Sequence, residues 1–170
     1  MDYELRSLTE EDKDLIFKWR NLKFIRSNMF NDKIIPYEDH CQWFANTLTN
    51  HAEHYRVFVK HTQPLGLVSF KKSDSQHLDY FWGFYIGELD APKGAGSIMG
   101  SLALDYAFES LNAKRIIGEV LSTNKKSEAF HRKLGFKQDL RYKNSIYRNG
   151  QFITINRFIL DKEIWEFHRS

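Results

Sequence analysis

An aromatic strand, a glycine-rich loop and an apolar helix follow one another in the middle of this chain, and this succession limits the fold more than any other feature. The strand is predicted within HLDYFWGFYI, with DYFWGFYI at 79–86. The loop reads GELDAPKGAGS over 87–97, and the helix continues to about residue 111. Gly83, inside the strand, indicates a bulge or a close approach of a ligand to the backbone. A strand that leads through a loop into a helix is typical of an α/β sheet.

The other elements follow from the spacing of apolar residues and from the residues that begin and end helices. Thr9 with Asp12 three residues later begins a helix. Pro36 begins a second helix, and Gly135 ends a third. Strands are predicted in YELRSL, YRVFVK, LGLVSFKK, AKRIIGEVL, FKQDLRYKNSIY and QFITINRFIL. The order predicts an α/β fold, a mixed central sheet of about seven strands with helices on both faces, in a single domain over residues 1–170.

The charges and the cysteine content argue against several classes of protein. The chain carries 25 basic and 22 acidic side chains, a net charge of +3, which is too little for wrapping nucleic acid but suits a small anionic ligand. Its one cysteine, Cys41, cannot form an internal disulfide, and no cysteine or histidine spacing predicts a metal site. A charged N-terminus and the lack of a run of about 18 apolar residues predict a cytoplasmic protein without a membrane partner.

The segment PKGAGS, residues 92–97, has the composition of an anion site. Glycine lets the backbone come close to a ligand, and a helix N-terminus favours negative charge, so a diphosphate is the natural occupant. Lys93 adds a cation. The alternative is a turn that only begins a helix. The Walker pattern is absent, and so is the dinucleotide pattern G-x-G-x-x-G, because Gly100 arrives one residue late.

The segment STNKKSEAFHRKLGF, residues 122–136, is the second feature that needs a chemical explanation. Asn124 falls just after a strand that carries Glu119. The helix after it places Ser127 and His131 on one face. Taken alone, a histidine on a helix is more often a structural or solvent-exposed group than a catalytic one. Glu119 alone is as easily a salt-bridge partner as a base.

Taken together, PKGAGS and the spacing N-x-x-S-x-x-x-H-x-x-x-G-F resemble the GCN5-related N-acetyltransferase superfamily. The resemblance implies acetyl-CoA as the cofactor. The family's pyrophosphate pattern, [Q/R]-x-x-G-x-[G/A], is met here except at Ala91, where the family has Gln or Arg. In the second pattern His131 stands in the slot of a tyrosine. The cofactor-binding residues implied are Tyr85, Ile86, Lys93, Gly94, Ala95, Gly96, Ser97, Asn124 and Ser127.

A narrower resemblance lies in the N-terminal half. The segments LIFKWRNLKFIRSNMF and IPYEDHCQWF are similar to the UDP-4-amino-4,6-dideoxy-N-acetyl-β-L-altrosamine N-acetyltransferases of the pseudaminic acid pathway, which leads to flagellin or surface glycans. The resemblance implies a UDP-linked amino sugar as the acceptor. The substrate-binding residues implied are Arg20, Met29, Phe30, His40, Trp43, Lys72 and Phe81. Arginine suits a diphosphate, while methionine and aromatic side chains suit a uracil ring and a sugar methyl group.

Residue type alone favours a structural role over substrate binding at two of these positions. An arginine such as Arg20 is commonly a surface salt-bridge partner, and a tryptophan such as Trp43 is commonly a core contact. The shared face of His40, Trp43 and Phe44, at i, i+3 and i+4 of one predicted helix, is compatible with either explanation.

The expected reaction is direct attack of an amine on the acetyl thioester in a ternary complex, because Cys41 lies in no nucleophile-like motif. In this scheme Glu119 accepts the ammonium proton. Backbone N–H groups of Tyr85 or Ile86 stabilise the carbonyl oxygen. His131 donates a proton to the departing sulfur, as a tyrosine would in that slot.

Two other functions stay open at this point. The same chemistry suits another amine, such as a protein N-terminus, in the manner of the ribosomal-protein acetyltransferases. A non-catalytic acetyl-CoA-binding module is permitted by Ala91 and by histidine in the tyrosine slot. The segments around Trp19, Met29 and His40 favour the nucleotide sugar. Exposed strands near the C-terminus leave a homodimer open.

Overall fold

In a computed structural model that describes residues 2–73 and 78–170, the chain forms an α/β fold with eight strands. The strands are β1 (Tyr3–Ser7), β2 (Glu53–Lys60), β3 (Gln63–Lys72), β4 (Asp79–Ile86), β5 (Arg115–Leu121), β6 (Lys137–Gln138), β7 (Asn144–Arg148) and β8 (Gln151–Asp161). They hydrogen-bond in the order β1-β2-β3-β4-β5-β8-β6, and β7 pairs with β8. The sheet is mixed, as predicted, because β4 and β5 are parallel while β1–β2, β2–β3 and β5–β8 are antiparallel.

Helices connect these strands. They are α1 (Lys13–Arg20), α2 (Lys23–Arg26), α3 (Tyr37–Thr49), α4 (Ala95–Asp105), α5 (Lys125–Lys133) and α6 (Lys162–Arg169). The helix predicted to begin at Thr9 starts as a 3-10 turn, Glu10–Asp12, in which the Thr9 N–H donates to Asp12 Oδ2 over 2.8 Å. Within the described part of the chain, none of these helices combines the length and the apolarity of a membrane span.

The contacts divide the chain into two compact units. The first contains the chain up to Lys71 together with Gly83–Ala103, and the second contains Lys72–Trp82 and Leu104–Ser170. The boundary between the units falls within β4: its residues up to Trp82 belong to the second unit, and those from Gly83 belong to the first. The glycine-rich loop therefore belongs to the first unit, and the segment with Asn124 and His131 belongs to the second.

The core of the first unit forms where α1 and α3 pack on β2 and β3. Its buried side chains are Ile16, Trp19, Ile25, Phe44, Val57, Val59 and Leu67. Trp19 is the member that reaches the functional loop, because the Cβ of any residue larger than glycine at position 87 would lie 2.3 Å from its ring. Gly87 is thus required for the loop after β4 to pass against the core.

The C-terminal part of the second unit differs from the prediction in two places. The segment FKQDLRYKNSIY is not one strand, since a turn after Asp139 separates β6 from β7, and Asp139 Oδ1 accepts the Arg141 N–H over 3.1 Å within it. Helix α6 was not predicted; its buried residue Trp165 packs on Phe108 with ring centroids 5.0 Å apart. The predicted Asn-Gly turn is confirmed by positive φ at Asn149 and Gly150. His77, in the predicted strand HLDYFWGFYI, lies outside the described residues.

Candidate active site

The loop that follows β4 is anchored to both neighbouring elements of the first unit. The Gly87 N–H donates to the carbonyl oxygen of Leu65 on β3 over 2.8 Å. The indole Nε1 of Trp19 donates to Glu88 Oε1 over 2.9 Å. Trp19 is fully buried, so this bond ties the loop to a rigid part of α1. Sequence patterns gave no role to Trp19 and Glu88 in positioning this loop, because their contact spans 69 residues of chain.

The glycine-rich loop leads directly into α4. Gly94 has φ +87°, in the left-handed region, and α4 begins at the next residue, Ala95. A Cβ added at Gly94 or at Gly96 would meet no atom within 4 Å, so the backbone on that side is open. The predicted loop residues Lys93 to Ser97 therefore surround the N-terminus of an 11-residue helix. Unpaired N–H groups and the helix dipole make this a favourable place for a phosphate.

Strand β4 pairs with β5 only along its first residues. The register runs from Asp79 opposite Arg115 to Phe81 opposite Ile117, and β5 continues to Leu121 against β8. The predicted oxyanion donors, the N–H groups of Tyr85 and Ile86, lie beyond the last β4–β5 pair. Their role as donors to the carbonyl oxygen stays a prediction.

On one face of the second unit's sheet, Glu119 is paired with an arginine that the sequence had not indicated. Glu119 on β5 is directly opposite Arg157 on β8, and Arg157 Nη2 donates to Glu119 Oε2 over 3.2 Å. The Arg157 guanidinium lies 3.8 Å from the ring centroid of Tyr142 and 5.5 Å from that of Phe81. Phe81, predicted as a substrate contact, is therefore part of a cluster with Glu119, Arg157 and Tyr142.

His131 lies on the opposite face of the same strands. A Cβ at Gly118 would point at His131 Nε2, 2.4 Å away, and successive side chains alternate across a strand, so Glu119 points the other way. The His131 ring is 2 % exposed and is enclosed by the rings of Trp82, Phe136 and Phe158. The sheet therefore separates the two predicted catalytic side chains.

Both ring nitrogens of His131 have fixed hydrogen-bonding roles. Nδ1 lies 2.8 Å from the carbonyl oxygen of Ser127, which can only accept, so Nδ1 carries the proton. Nε2 lies 3.0 Å from the indole Nε1 of Trp82, which can only donate, so Nε2 is the acceptor. Burial lowers the pKa of His131 below its ordinary value, which favours this neutral form.

These contacts argue against the predicted role of His131 as the acid that protonates the departing sulfur. In this arrangement its only N–H is already donated to Ser127, and its other nitrogen faces a donor. The sequence prediction rested on the tyrosine slot of the family pattern. It could not anticipate that the shorter histidine would end against Trp82 and Gly118 inside the core.

Asn124 and Ser127 shape the start of α5. Asn124 is the N-cap, and its side-chain oxygen accepts the Ser127 N–H over 3.3 Å. Ser127 then offers its carbonyl oxygen to His131 one turn later. The structure therefore brings these three predicted residues together, in a chain of contacts that holds the helix N-terminus at the end of β5. Their contacts with a coenzyme remain predictions.

In the first unit, three of the predicted substrate residues, Arg20, His40 and Trp43, lie in contact with one another. Arg20 Nη1 donates to His40 Nδ1 over 2.9 Å, and its guanidinium lies 4.0 Å from the Trp43 ring centroid. His40 is fully buried, and its Nε2–H donates to the carbonyl oxygen of Lys13 over 2.7 Å. Burial lowers the pKa of both Arg20 and His40. Among the residues described, no carboxylate lies within 4 Å of Arg20.

Two tyrosines next to this cluster were not predicted to contribute side chains. The Tyr85 hydroxyl is buried and has no hydrogen-bond partner within the described chain. Tyr55 donates its hydroxyl proton to Glu53 Oε2 over 2.9 Å and packs edge-on against Trp43. Burial raises the pKa of both phenols, so both stay protonated at neutral pH. Tyr85 had been singled out only for its backbone N–H.

The remaining predicted substrate residues occupy more open positions. Met29 and Phe30 are 38 % and 45 % exposed, in a segment closed at its ends by paired hydrogen bonds between Asn21 and Ile35. Lys72, at the end of β3, is exposed and belongs to the second unit. Residues 2–73 and 78–170 contain no group of three or more acidic, histidine or cysteine side chains that could hold a metal ion.

Comparison with protein-family models shows which family the chain belongs to. The family model for the acetyltransferase (GNAT) domain matches residues 3–137, which is most of the chain. The chain belongs to the GNAT acetyltransferase family. This GNAT protein is therefore an acetyl-CoA-dependent N-acetyltransferase. When bound, acetyl-CoA supplies an acetyl group activated as a thioester.

Individual proteins of low sequence identity to this chain agree with the family assignment. Acetyltransferase PseH of Campylobacter jejuni is 27 % identical over 127 residues, 73 % of this chain and 78 % of that protein. Spermidine N-acetyltransferase from Vibrio cholerae, solved with CoA and spermine, has a TM-score of 0.88 at 21 % identity over 97 % and 98 % of the two chains. YncA of Salmonella typhimurium, a putative acetyltransferase solved with acetyl-CoA, has a TM-score of 0.74 at 18 % identity over 95 % and 94 %. These two structures support the fold.

The loop residues of this GNAT protein fit the pyrophosphate of acetyl-CoA. The open backbone beside Gly94 and Gly96 leaves room for an anion, the N-terminus of α4 supplies donors, and Lys93 supplies a positive charge. Ala91 lacks the polar side chain found at the start of the family pattern. Lys93 is the one cation of PKGAGS, so it is the residue best suited to offset that loss.

Proposed function

We propose that this acetyltransferase transfers acetyl to the 4-amino group of a UDP-linked amino-dideoxy sugar, in the pseudaminic acid route to flagellin or surface glycans. One observation carries the proposal: Arg20 is a half-buried cation with its face on Trp43 and no carboxylate partner in the described chain. The likeness to PseH of Campylobacter jejuni supports the choice of acceptor class.

The Arg20 cluster has the chemistry of a site for an anion that carries a flat ring. Even a half-buried guanidinium without a counter-ion carries a desolvation cost that a bound anion offsets, and arginine can donate two parallel hydrogen bonds to phosphate oxygens. The Tyr85 hydroxyl offers a further donor that nothing in the described chain uses. Trp43, beside Arg20, provides an aromatic surface for the base. A diphosphate with a uracil ring meets these groups together.

The exposed apolar residues of the segment between Asn21 and Ile35 suit the deoxy sugar. Met29 and Phe30 remain accessible although both are large and apolar. Such side chains are favourable against a methyl group and a sugar face, which have little hydrogen-bonding capacity. A polyamine acceptor would instead need acidic side chains around the site, and Arg20 would repel it.

For the acetyl transfer itself we assign a role to each predicted residue in turn. Glu119 orients the acceptor amine and accepts a proton from it, directly or through water. The N–H groups of Tyr85 and Ile86 donate to the carbonyl oxygen as negative charge develops there. His131 holds Trp82 and the start of α5, and it supplies no proton. Lys93, Gly94, Ala95, Gly96 and Ser97 hold the pyrophosphate, and Asn124 and Ser127 support the coenzyme arm.

The proposal is tested by thiol release from acetyl-CoA with a panel of UDP-4-amino sugars, UDP-sugars aminated elsewhere, spermidine and peptide amines. We expect turnover with a UDP-4-amino sugar. Arg20→Met should raise KM for that acceptor by about 10- to 100-fold, the value of a charge-assisted hydrogen bond pair, with KM for acetyl-CoA changed less than about twofold. Arg56→Met is the control, since Arg56 Nη1 donates to Ser7 on the β1–β2 side of the same unit. Turnover of peptides or spermidine, with none of any UDP-amino sugar, would overturn the proposal.

Two further properties belong to this proposal. We place the reaction in the cytoplasm, where acetyl-CoA and nucleotide sugars are available together. A homodimer remains a prediction, to be measured by sedimentation; the dodecameric spermidine N-acetyltransferase of Vibrio cholerae, at 21 % identity, supports only the fold.

A further inference from the structure

The geometry around Arg157 points to a positioning residue for the acetyl transfer. We propose that Arg157 holds Glu119 by its Oε2 so that Oε1 is presented to the acceptor amine, and that Tyr142 keeps Arg157 in this orientation. The inference rests on the proposed role of Glu119. It concerns only side chains of the second unit, Phe81 among them.

The backbone places the two charged residues directly opposite each other. Glu119 and Arg157 are register partners in the β5–β8 ladder, and their side chains meet through one hydrogen bond, Nη2 to Oε2 at 3.2 Å. Within the described chain, this is the one hydrogen bond found for the Glu119 carboxylate. Its Oε1 is therefore available, and the side chain keeps about a fifth of its surface accessible.

Arg157 is constrained beyond what an ion pair needs. Its guanidinium lies 3.8 Å from the Tyr142 ring centroid, close enough for stacking, and 5.5 Å from that of Phe81. The turn that carries Tyr142 is also tied to Arg157, because the Asp139 N–H donates to the Arg157 carbonyl oxygen over 2.8 Å. Side chain and backbone of one residue thus anchor the same turn.

This arrangement leaves one donor unsatisfied. The Arg157 Nε is buried and has no acceptor within the described chain. A guanidinium that served only as a structural ion pair would be expected to use this donor, since unpaired buried N–H groups are costly. Here the Arg157 guanidinium stacks on Tyr142, and in this orientation its Nη2 donates to Glu119. Such exceptions occur where the placement of a side chain matters more than its own stability.

The same two strands offer a matched control. Arg115 and Asp161 are also register partners in the β5–β8 ladder, joined by a bond of 2.8 Å from Nε to Oδ1, and slightly less than half of each side chain is exposed. Arg115→Met therefore removes a cross-strand ion pair of the same type and leaves Glu119 untouched. It has no part in the proposed site.

The test is a double-mutant cycle on kcat and KM for Glu119→Gln, Arg157→Met and the double variant. We expect Arg157→Met to lower kcat about tenfold or more in the wild-type background and less than about twofold in the Glu119→Gln background, because its effect passes through Glu119. KM for acetyl-CoA should not move. Tyr142→Phe should keep nearly full activity, since the ring remains, and Tyr142→Leu should not.

An equal loss from Arg157→Met in both backgrounds, or a loss no greater than that of Arg115→Met, would overturn the inference. If Arg157→Met does not fold, Arg157→Lys replaces it in the double-mutant cycle. Lysine keeps the positive charge but has no planar group to stack on Tyr142. The cycle uses whichever amine of the acceptor panel reacts fastest. Rejection of the nucleotide-sugar proposal by that panel is therefore a separate result from rejection of the role of Arg157.

Discussion

The indole nitrogen of Trp82 donates to Nε2 of His131 over 3.0 Å, and this bond places His131 within the core of the second unit. The Trp82 ring also stacks on Phe136, with centroids 5.2 Å apart. Gly118 on β5 has no side chain, and this leaves space for the His131 ring beside Trp82. Glu119, the next residue, points to the other face, where Arg157 meets it. The side chains predicted as acid and as base therefore lie on opposite faces of the sheet.

Loss of the Trp82 donor should destabilise the fold. Trp82→Phe removes the indole donor from the buried His131 Nε2 and also removes packing, so we expect the free energy of unfolding to fall by about 2–4 kcal/mol. Trp165→Phe is the control, because Trp165 is nearly as buried and its indole has no hydrogen-bond acceptor in the described chain. Urea unfolding measures both. Equal losses would show that the Trp82–His131 bond contributes nothing.

The stability of the protein should depend on pH through its buried histidines. Burial lowers the pKa of His131 and of His40 in the folded chain, while the unfolded chain titrates near the ordinary value of about 6.5. The unfolded state therefore binds more protons as the pH falls below that value, and folding weakens until the lower folded pKa is reached. Above about pH 7 the contribution is fully present.

The measurement is urea unfolding between pH 5 and 8, where each histidine contributes a slope of at most about 1.4 kcal/mol per pH unit. His131→Gln should give a flatter dependence than the wild type, since it removes one of the titrating groups. The same slope in both proteins would contradict the assignment of His131 as a buried neutral side chain.

The two glycines at the start of α4 should respond differently to alanine. Gly94 has a positive φ, so Gly94→Ala should cost about 1–2 kcal/mol of stability. Gly96→Ala meets no atom and lies within a helix, so it should be neutral or stabilising by up to about 1 kcal/mol. The family pattern admits alanine at this position, so KM for acetyl-CoA should change little in Gly96→Ala, whereas the strained loop of Gly94→Ala should raise it. An equal rise in KM for acetyl-CoA in both variants would contradict this distinction between the two positions.

The Tyr85 hydroxyl gives a prediction with opposite effects on stability and binding. Tyr85→Phe removes a buried hydroxyl that has no partner in the described chain, so stability should be unchanged or slightly higher. KM for the acceptor should rise about five- to tenfold if this hydroxyl donates to it. Tyr55→Phe is the matched variant, and it should lose about 1 kcal/mol with its bond to Glu53. Wild-type KM in Tyr85→Phe would remove the hydroxyl from the acceptor site.

Features set by local chemistry could be predicted from the sequence. The Thr9–Asp12 cap, the Asn149–Gly150 turn and the left-handed Gly135 each depend on residues within one turn of chain, and all three are present. The glycine-rich loop at the start of α4 was found for the same reason. The segment after Phe136 was read wrongly because its turn at Asp139 has no glycine or proline to mark it.

The sequence by itself determined the order of elements, the mixed sheet and the family, because these follow from periodicity, caps and two glycine-containing patterns. Only the tertiary structure decided which side chains meet. Arg157 reaches Glu119 across 38 residues of chain, and Trp82 reaches His131 across 49. Whether a titratable group is free for chemistry depends on such contacts and on burial, and neither is encoded in the residues next to it. His131 fits the family spacing, yet the position of its proton is set by Trp82 on β4 together with the Ser127 carbonyl on α5.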